Sequence, residues 1–271
     1  MSSHPQPSQR ITVRKLLQMK SEAEKIVCLT AYDVSFAKLL DDAGVDVVLV
    51  GDSLGMVIQG LENTLPVSMN DMVYHSRCVA NGLKRALLMV DMPFMSHITP
   101  EIALQNAGRL MKESGAHIVK LEGGSEQREV VSALTSNGIP VCAHLGLQPQ
   151  RVHKLGGYRV QGREEEAAEH MLEEASILQQ SGADALLLEC VPAELATKIS
   201  QTVSIPVIGI GAGVDVDGQV LVLQDVLGIT PGRAPKFSHN FMAGADSIQA
   251  AIGLYVDAVK AKQFPQQEHI F

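Results

Sequence analysis

The chain reads as an α/β protein of the (β/α)8 barrel type, the TIM barrel, and three observations carry that expectation. Seven short apolar runs recur along the sequence, near-continuously hydrophobic rather than alternating, which is what strands covered on both faces require. The segments between them are rich in helix formers, with apolar residues three and four apart. No pair of alternating runs flanks a tight-turn signal, so antiparallel hairpins are not indicated, and 271 residues suit one barrel of roughly 250 residues. A doubly wound open sheet is the rival arrangement of the same units.

The elements follow in order. MSSHPQPSQR is polar and proline-bearing and is expected to be a flexible arm over residues 1–10, ahead of one barrel domain within 1–271. VRKLLQMKSEAE, from Val13 to Glu24, mixes strong helix formers with an apolar face that includes Val13, Leu16 and Leu17. The strand candidates are IVCLTAY from Ile26, VDVVLVGD from Val45, ALLMVDMP from Ala86, HIVKLEGG from His117, IPVCAHLG from Ile139, ADALLLEC from Ala183 and IPVIGIGAG from Ile205. VLVLQDVLGI from Val220 supplies the eighth. Between them, TPEIALQNAGRLMKES and REEEAAEHMLEEASILQQSG read as amphipathic helices; Thr99 is placed to cap the first, with Pro100 in its first turn. Gly115, Gly138 and Gly182 stand where helices must close before the next strand.

Composition excludes several classes. With 46% hydrophobic and 19% charged residues the chain can bury a sizeable core and lacks the make-up of a disordered protein. A formal net charge of -8 argues against a nucleic-acid partner, whose phosphates call for a basic face. No stretch is long enough to span a bilayer and the first residues lack the apolar core of a signal peptide, so no membrane partner and a cytoplasmic location are expected. Cys28, Cys78, Cys142 and Cys190 are widely spaced without a C-x-x-C pair, which reads as small buried apolar residues in a reducing compartment. Met89 and Met92 read as core filler, and Tyr74, His75 and the remaining histidines as surface or packing residues.

Barrel enzymes assemble their sites from the C-terminal ends of the strands. Here those ends carry Tyr32 and Asp33, Asp52 and Ser53, Asp91, Lys120 and Glu122, His144, Glu189, and glycines 209, 211 and 213. VLVGD, LLMVD, VKLEG and LLLEC each set a carboxylate at the tip of a buried strand, where an unbalanced charge is costly. Acids gathered at one mouth repel, and the repulsion is relieved by protonation or by a cation. Oxygen ligands without a cysteine or histidine set favour a hard ion such as Mg2+, with Asp52 and Asp91 as direct ligands and Glu122 acting through water.

The motifs VLVGDSLGMVIQG, TLPVSMNDMVYH, VDMPF, VKLEGG, HLGLQPQ, GGYRVQGR, LLLECVP, IPVIGIGAG and PKFSHNF occur in this order over nearly the whole chain from about Thr12. In this the sequence resembles the ketopantoate hydroxymethyltransferase family. The resemblance implies a barrel of the phosphoenolpyruvate/pyruvate superfamily and a transferase of pantothenate biosynthesis. Such an enzyme moves a hydroxymethyl group from the co-substrate 5,10-methylenetetrahydrofolate to 3-methyl-2-oxobutanoate, giving 2-dehydropantoate. By motif it implies Asp52, Asp91 and Glu122 as magnesium positions, Asp52, Ser53, Asp91 and Lys120 as oxoacid-binding residues, Glu189 as proton acceptor and His144 as a substrate-side neighbour. It also implies a homo-oligomer, the decamer. The chain departs from the family pattern at FPQQEHIF, where Tyr-Pro and Ser are expected, and this touches no proposed ligand.

The chemistry agrees with that assignment. A 2-oxoacid offers a carboxylate and a keto oxygen as a bidentate pair to Mg2+, which polarises the carbonyl and stabilises the enolate formed when the C3 proton leaves. Lys120 and Ser53 orient the carboxylate end, and burial should raise the basicity of Glu189. Other readings stand beside it. GDSLG suggests a serine hydrolase, but no histidine in the chain has an aspartate three residues before it. Lys120 suggests a Schiff-base aldolase, which the neighbouring acids oppose by holding the ammonium charged. GIGAGV falls short of a G-x-G-x-x-G nucleotide site because Val214 stands at the third glycine. A scaffold protein would give no reason for acids, Lys and His to gather at strand tips.

Overall fold

The computed structural model describes residues 10–230, 232 and 234–271, and in it eight parallel strands close into a barrel in the order of the sequence. They are β1 (Ile26–Thr30), β2 (Val47–Val50), β3 (Leu87–Asp91), β4 (Ile118–Glu122), β5 (Val141–Gly146), β6 (Ala185–Glu189), β7 (Val207–Ile210) and β8 (Gly218–Leu221). The expected arm lies outside the described residues save for Arg10, which is exposed. The helices are α1 (Val13–Ser21), α2 (Val34–Asp42), α3 (Met69–Ala80), α4 (Pro100–Ser114), α5 (Arg128–Ser136), α6 (Glu165–Gln180), α7 (Ala193–Thr202) and α8 (Ile248–Lys260), with shorter helical turns in the loops. None is long and apolar enough to cross a membrane.

The strands are buried throughout, except at the half-buried ends of β5 and β6, Gly146 and Glu189, because their outward residues meet the helices while their inward ones fill the barrel. Met89 and Met92 are fully buried among them, in agreement with their reading as filler. Cys28, Cys142 and Cys190 are buried and Cys78 half-buried, all as free thiols. The helix signals hold for α4: Thr99 Oγ1 accepts from Ile102 N, Pro100 opens the first turn, and Gly115 ends the helix at φ 77. Beyond α4, α3 starts with a reciprocal cap between Ser68 and Asp71.

Three boundaries differ from the sequence reading. The first helix stops at Ser21 rather than Glu24, because Ala23 turns into the left-handed region at φ 54. The eighth strand is Gly218–Leu221, and the LQDV of the expected strand forms a helical turn at Leu223–Val226. No helix separates β7 from β8; Gly211 to Asp217 alone carry the chain back across the barrel. That bare connection is braced from α1 and the loop after it: Lys20 Nζ donates to Asp217 Oδ2 at 2.6 Å and to Ser200 O, and Lys25 Nζ donates to Val214 O and Val216 O.

Closure depends on the seam between β1 and β8, where Cys28 stands beside Val220. The fully buried Tyr255 of α8 locks it, its hydroxyl lying 3.0 Å from Cys28 O and 3.1 Å from Gln219 O. Removing the hydroxyl in Tyr255→Phe leaves buried carbonyl groups with one donor fewer. It should lower the stability by about 1–2 kcal/mol with the fold kept, read as a lower denaturant midpoint at unchanged slope.

Candidate active site

The strand register brings the predicted residues together at one mouth. Asp91 on β3 pairs in register with Lys120 on β4, Glu122 with His144 on β5, and Gly146 with Glu189 on β6. Because alternate residues of a strand share a face, Lys120 and Glu122 both project into the barrel. Asp52 and Ser53 follow β2 in the turn to a short helix, and the backbone N–H of Asp52 donates to Asp91 Oδ2 at 3.1 Å. Asp52, Ser53, Asp91, Lys120, Glu122, His144 and Glu189 all line a single cavity of about 550 Å3. Asp33, grouped with them in the sequence, instead caps α2, accepting from Ser35 N and Phe36 N.

The contacts among these groups are close. Lys120 Nζ lies 3.0 Å from Asp91 Oδ1 and 3.2 Å from His144 Nδ1. An ammonium can only donate, so Nδ1 of His144 accepts and its proton sits on Nε2. Nε2 in turn faces Glu189 Oε2 at 3.4 Å, longer than a good hydrogen bond, while Glu122 Oε1 stands 3.8 Å from the other ring nitrogen. Ser53 Oγ shares a hydrogen bond of 2.8 Å with the Tyr32 hydroxyl, so its partner is a phenol rather than the imidazole a serine hydrolase needs.

One positioning residue escaped the sequence reading. Gln150, buried in the 3-10 turn Pro149–Arg151 after β5, donates from Nε2 to Asp52 Oδ2 at 2.9 Å and to Met92 O at 3.0 Å, and its backbone N–H donates to Glu122 Oε2 at 3.0 Å. A single residue, by its side chain and its backbone N–H, thus ties the β2 and β4 acids to the loop after β3. It stands in the quoted HLGLQPQ motif, but an amide carries no chemistry of its own to flag it. His75 packs as expected, Nδ1 against Tyr32 O at 2.8 Å, and Tyr74 is exposed.

The family profile described as ketopantoate hydroxymethyltransferase matches residues 10–267. The chain belongs to the ketopantoate hydroxymethyltransferase family. It is therefore an enzyme of the hydroxymethyltransferase class, as the sequence motifs implied. A 3-methyl-2-oxobutanoate hydroxymethyltransferase from Alkalilimnicola ehrlichii is 61% identical over 267 residues, covering 98% of this chain and 96% of the relative. One of the same name from Nitrosococcus oceani is 60% identical, covering 96% and 98%. Among solved structures, 2,3-dimethylmalate lyase, a PEP mutase/isocitrate lyase superfamily member, aligns with a TM-score of 0.57 at 16% identity over 77% of this chain and 80% of the other. That likeness shows the fold alone, a closed parallel (β/α)8 barrel.

In this hydroxymethyltransferase the charges are out of balance. Burial, and then the neighbouring Asp91 charge, push Asp52 up to about 7. Burial and then Asp52 push Glu122 well above the carboxylate range, and burial pushes Glu189 up to about 7. Burial alone would lower Lys120, yet the charges of Asp91, Glu122 and Asp52 outweigh it and hold the ammonium above its ordinary value. That removes the free amine a Schiff-base aldolase requires. His144 is driven well below its ordinary value by burial and then by Lys120, so its ring is neutral.

These shifts fix a pH dependence. The folded protein holds protons on Asp52, Glu122 and Glu189 that the unfolded chain has already lost, so stability falls as pH rises through the folded values. His97, His117, His144 and His269, all depressed, act in the opposite sense only below about pH 6.5, their unfolded value. With EDTA present, the thermal midpoint should therefore drop as pH goes from about 6.5 to about 8; a midpoint that climbs across this window would contradict the charge balance described.

Proposed function

We propose that the barrel mouth transfers a hydroxymethyl group from 5,10-methylenetetrahydrofolate to 3-methyl-2-oxobutanoate, giving 2-dehydropantoate, with Mg2+ bound. The observation that carries the reading is the convergence of Asp52 and Asp91 beside Lys120, with Glu189 on β6 across the same cavity. The relatives' shared name supports the substrate.

The residues fit a hard dication. Asp91 Oδ1 is buried with no aligned hydrogen-bond donor, although Lys120 neutralises it at 3.0 Å. Among the described residues no three acids, histidines or cysteines enclose an ion by themselves. Mg2+ needs no such cage, since it commonly takes one or two carboxylates and fills its other positions with water and substrate. Asp52 and Asp91 would hold it, with Glu122, fixed by Gln150 N, acting through water. When bound, the ion supplies Lewis acidity at the keto oxygen.

The chain's own groups do the rest. Lys120 sets a positive charge opposite the oxoacid carboxylate, and the Ser53 hydroxyl, steadied by Tyr32, orients the same end. Glu189 takes the C3 proton; a carboxylate poised at about 7 is basic enough to accept it and still partly ionised at neutral pH. The Nε2–H of neutral His144 faces Glu189 at 3.4 Å. Water adds at the donor's methylene carbon and both its C–N bonds break, the protons going to the nitrogens of the departing tetrahydrofolate; the C3 carbanion bonds to the one-carbon carbonyl so released, and the proton held by Glu189 passes to the new alkoxide to give the hydroxymethyl group.

Mixing the protein with 3-methyl-2-oxobutanoate, methylenetetrahydrofolate and Mg2+ should yield 2-dehydropantoate by mass spectrometry, EDTA should stop it and added Mg2+ restore it. Turnover indifferent to chelation removes the ion from the reading, and no product removes the reaction. In Glu189→Gln, exchange of the oxoacid C3 hydrogen with solvent deuterium should slow by about a hundredfold or more; exchange at the unsubstituted rate rules Glu189 out as the base.

A further inference from the structure

The main chain on either side of Glu189 departs from that of an ordinary strand tip. Four non-glycine residues among those described take a positive φ: Ala23, Met95, Cys190 and Lys262. Ala23, Met95 and Lys262 are exposed, the first and last just past helix ends, where a left-handed turn is ordinary. Cys190 is buried and stands at φ 49 directly after the last residue of β6, so it bears a steric penalty that a glycine would not. Neighbouring residues of a strand point to opposite faces, yet Glu189 and Cys190 both line the cavity, because the left-handed turn ends the pleat there.

β5 makes the matching adjustment. Gly146, the register partner of Glu189, has φ 91, and a Cβ built there would run into the carbonyl oxygen of Glu189 and stand 3.1 Å from its nitrogen. With no side chain in the way, the two strand tips close up and Leu147 N donates to Glu189 O at 2.8 Å. On the other side Cys190 N donates to Ile210 O of β7 at 2.8 Å, and the turned Cys190 carbonyl accepts from Gln161 N, in the loop before α6, at 2.9 Å. The backbone around Glu189 is thus gripped by β5, β7 and that loop. Among the described residues no aligned donor holds the Glu189 carboxylate, His144 Nε2 at 3.4 Å included, so its place in the cavity is set from the main chain.

We propose that Gly146 and Cys190 form a backbone clamp that positions Glu189 for proton removal. Both are positioning residues, acting through Glu189 and not through chemistry of their own. The Cys190 thiol, pushed up to about 12 by burial and then by the Glu189 charge, stays protonated and supplies no nucleophile. Strain beside a reacting group persists only where the surroundings over-determine it, as the hydrogen bonds from Leu147 and Gln161 and to Ile210 do here. Proton transfer from carbon tolerates little error in distance, so a fixed carboxylate contributes to rate without contributing to substrate affinity. The inference rests on the reading of Glu189 as the base and adds what aims it.

Three measurements test it on the full chain with Mg2+ present: exchange of the C3 hydrogen of 3-methyl-2-oxobutanoate with solvent deuterium, the Kd of that oxoacid by calorimetry, and the thermal midpoint. Gly146→Ala must displace the Glu189 carbonyl, and the β-branched side chain of Cys190→Val resists the left-handed region; each should slow exchange by about a hundredfold. The oxoacid Kd, set at the Asp52, Ser53 and Lys120 end, should stay unchanged. Cys190→Gly and Cys190→Asn accept the same φ and should recover exchange to near the unsubstituted rate. Should Gly146→Ala melt early, the Cys190 variants decide alone. Exchange in Cys190→Val at the unsubstituted rate overturns the inference. So does a Cys190→Gly variant as slow as Cys190→Val, which would give the role to the thiol, and so does loss of oxoacid binding in step with loss of exchange, which would make the clamp a support for the whole site. No exchange in the unsubstituted protein, or full exchange in Glu189→Gln, is a separate outcome that defeats the reading of Glu189 as the base and this inference with it.

Discussion

Four carboxylates, those of Asp52, Asp91, Glu122 and Glu189, share a walled cavity with Lys120, and the rest of the molecule is arranged around that imbalance. Charges of one sign in a weakly polarisable interior repel strongly and each is costly to desolvate. The fold answers locally before any ligand arrives. Lys120 is set in register beside Asp91, Gln150 donates to Asp52 and Glu122, and the Asp52 N–H donates to Asp91. What these contacts leave unbalanced is a negative site, which in the proposed reaction would take a small, hard cation and an anionic ketone together.

His144 is placed where the two halves of that chemistry meet. Its neutral ring accepts from Lys120 on one side and turns an N–H toward Glu189 on the other. A charged imidazole there would raise the positive charge beside Glu189 and weaken it in its proposed role as base. Burial and the adjacent lysine together keep the ring neutral, so the residue that touches both partners perturbs neither charge.

Much of this was legible in the chain. Strands covered on both faces announce themselves as continuous apolar runs, and a carboxylate at the end of such a run is conspicuous because burial makes it costly. β1 to β7 and the carboxylates Asp52, Asp91, Glu122 and Glu189 were readable for that reason; Ser53, Lys120 and His144 were named from their place at the strand ends and the family motifs. β8 was not well placed because its GQVL is short and polar at Gln219, and the more apolar residues after it form a helical turn. Gln150 was missed because its role lies in geometry across three loops, not in residue type.

Closure itself has a cost during synthesis. Because β1 hydrogen-bonds to β8, a ribosome must deliver about 190 further residues between the first strand and the last, and until then the growing sheet has two open edges. The half-made chain presents Ile26–Thr30, paired with β2 but not yet with β8, as an apolar edge, the kind of surface that templates intermolecular pairing. The helix that carries Tyr255 emerges later still, so the seam gains its lock only near the end of translation. A nascent polypeptide of this design is a natural client for holdase chaperones.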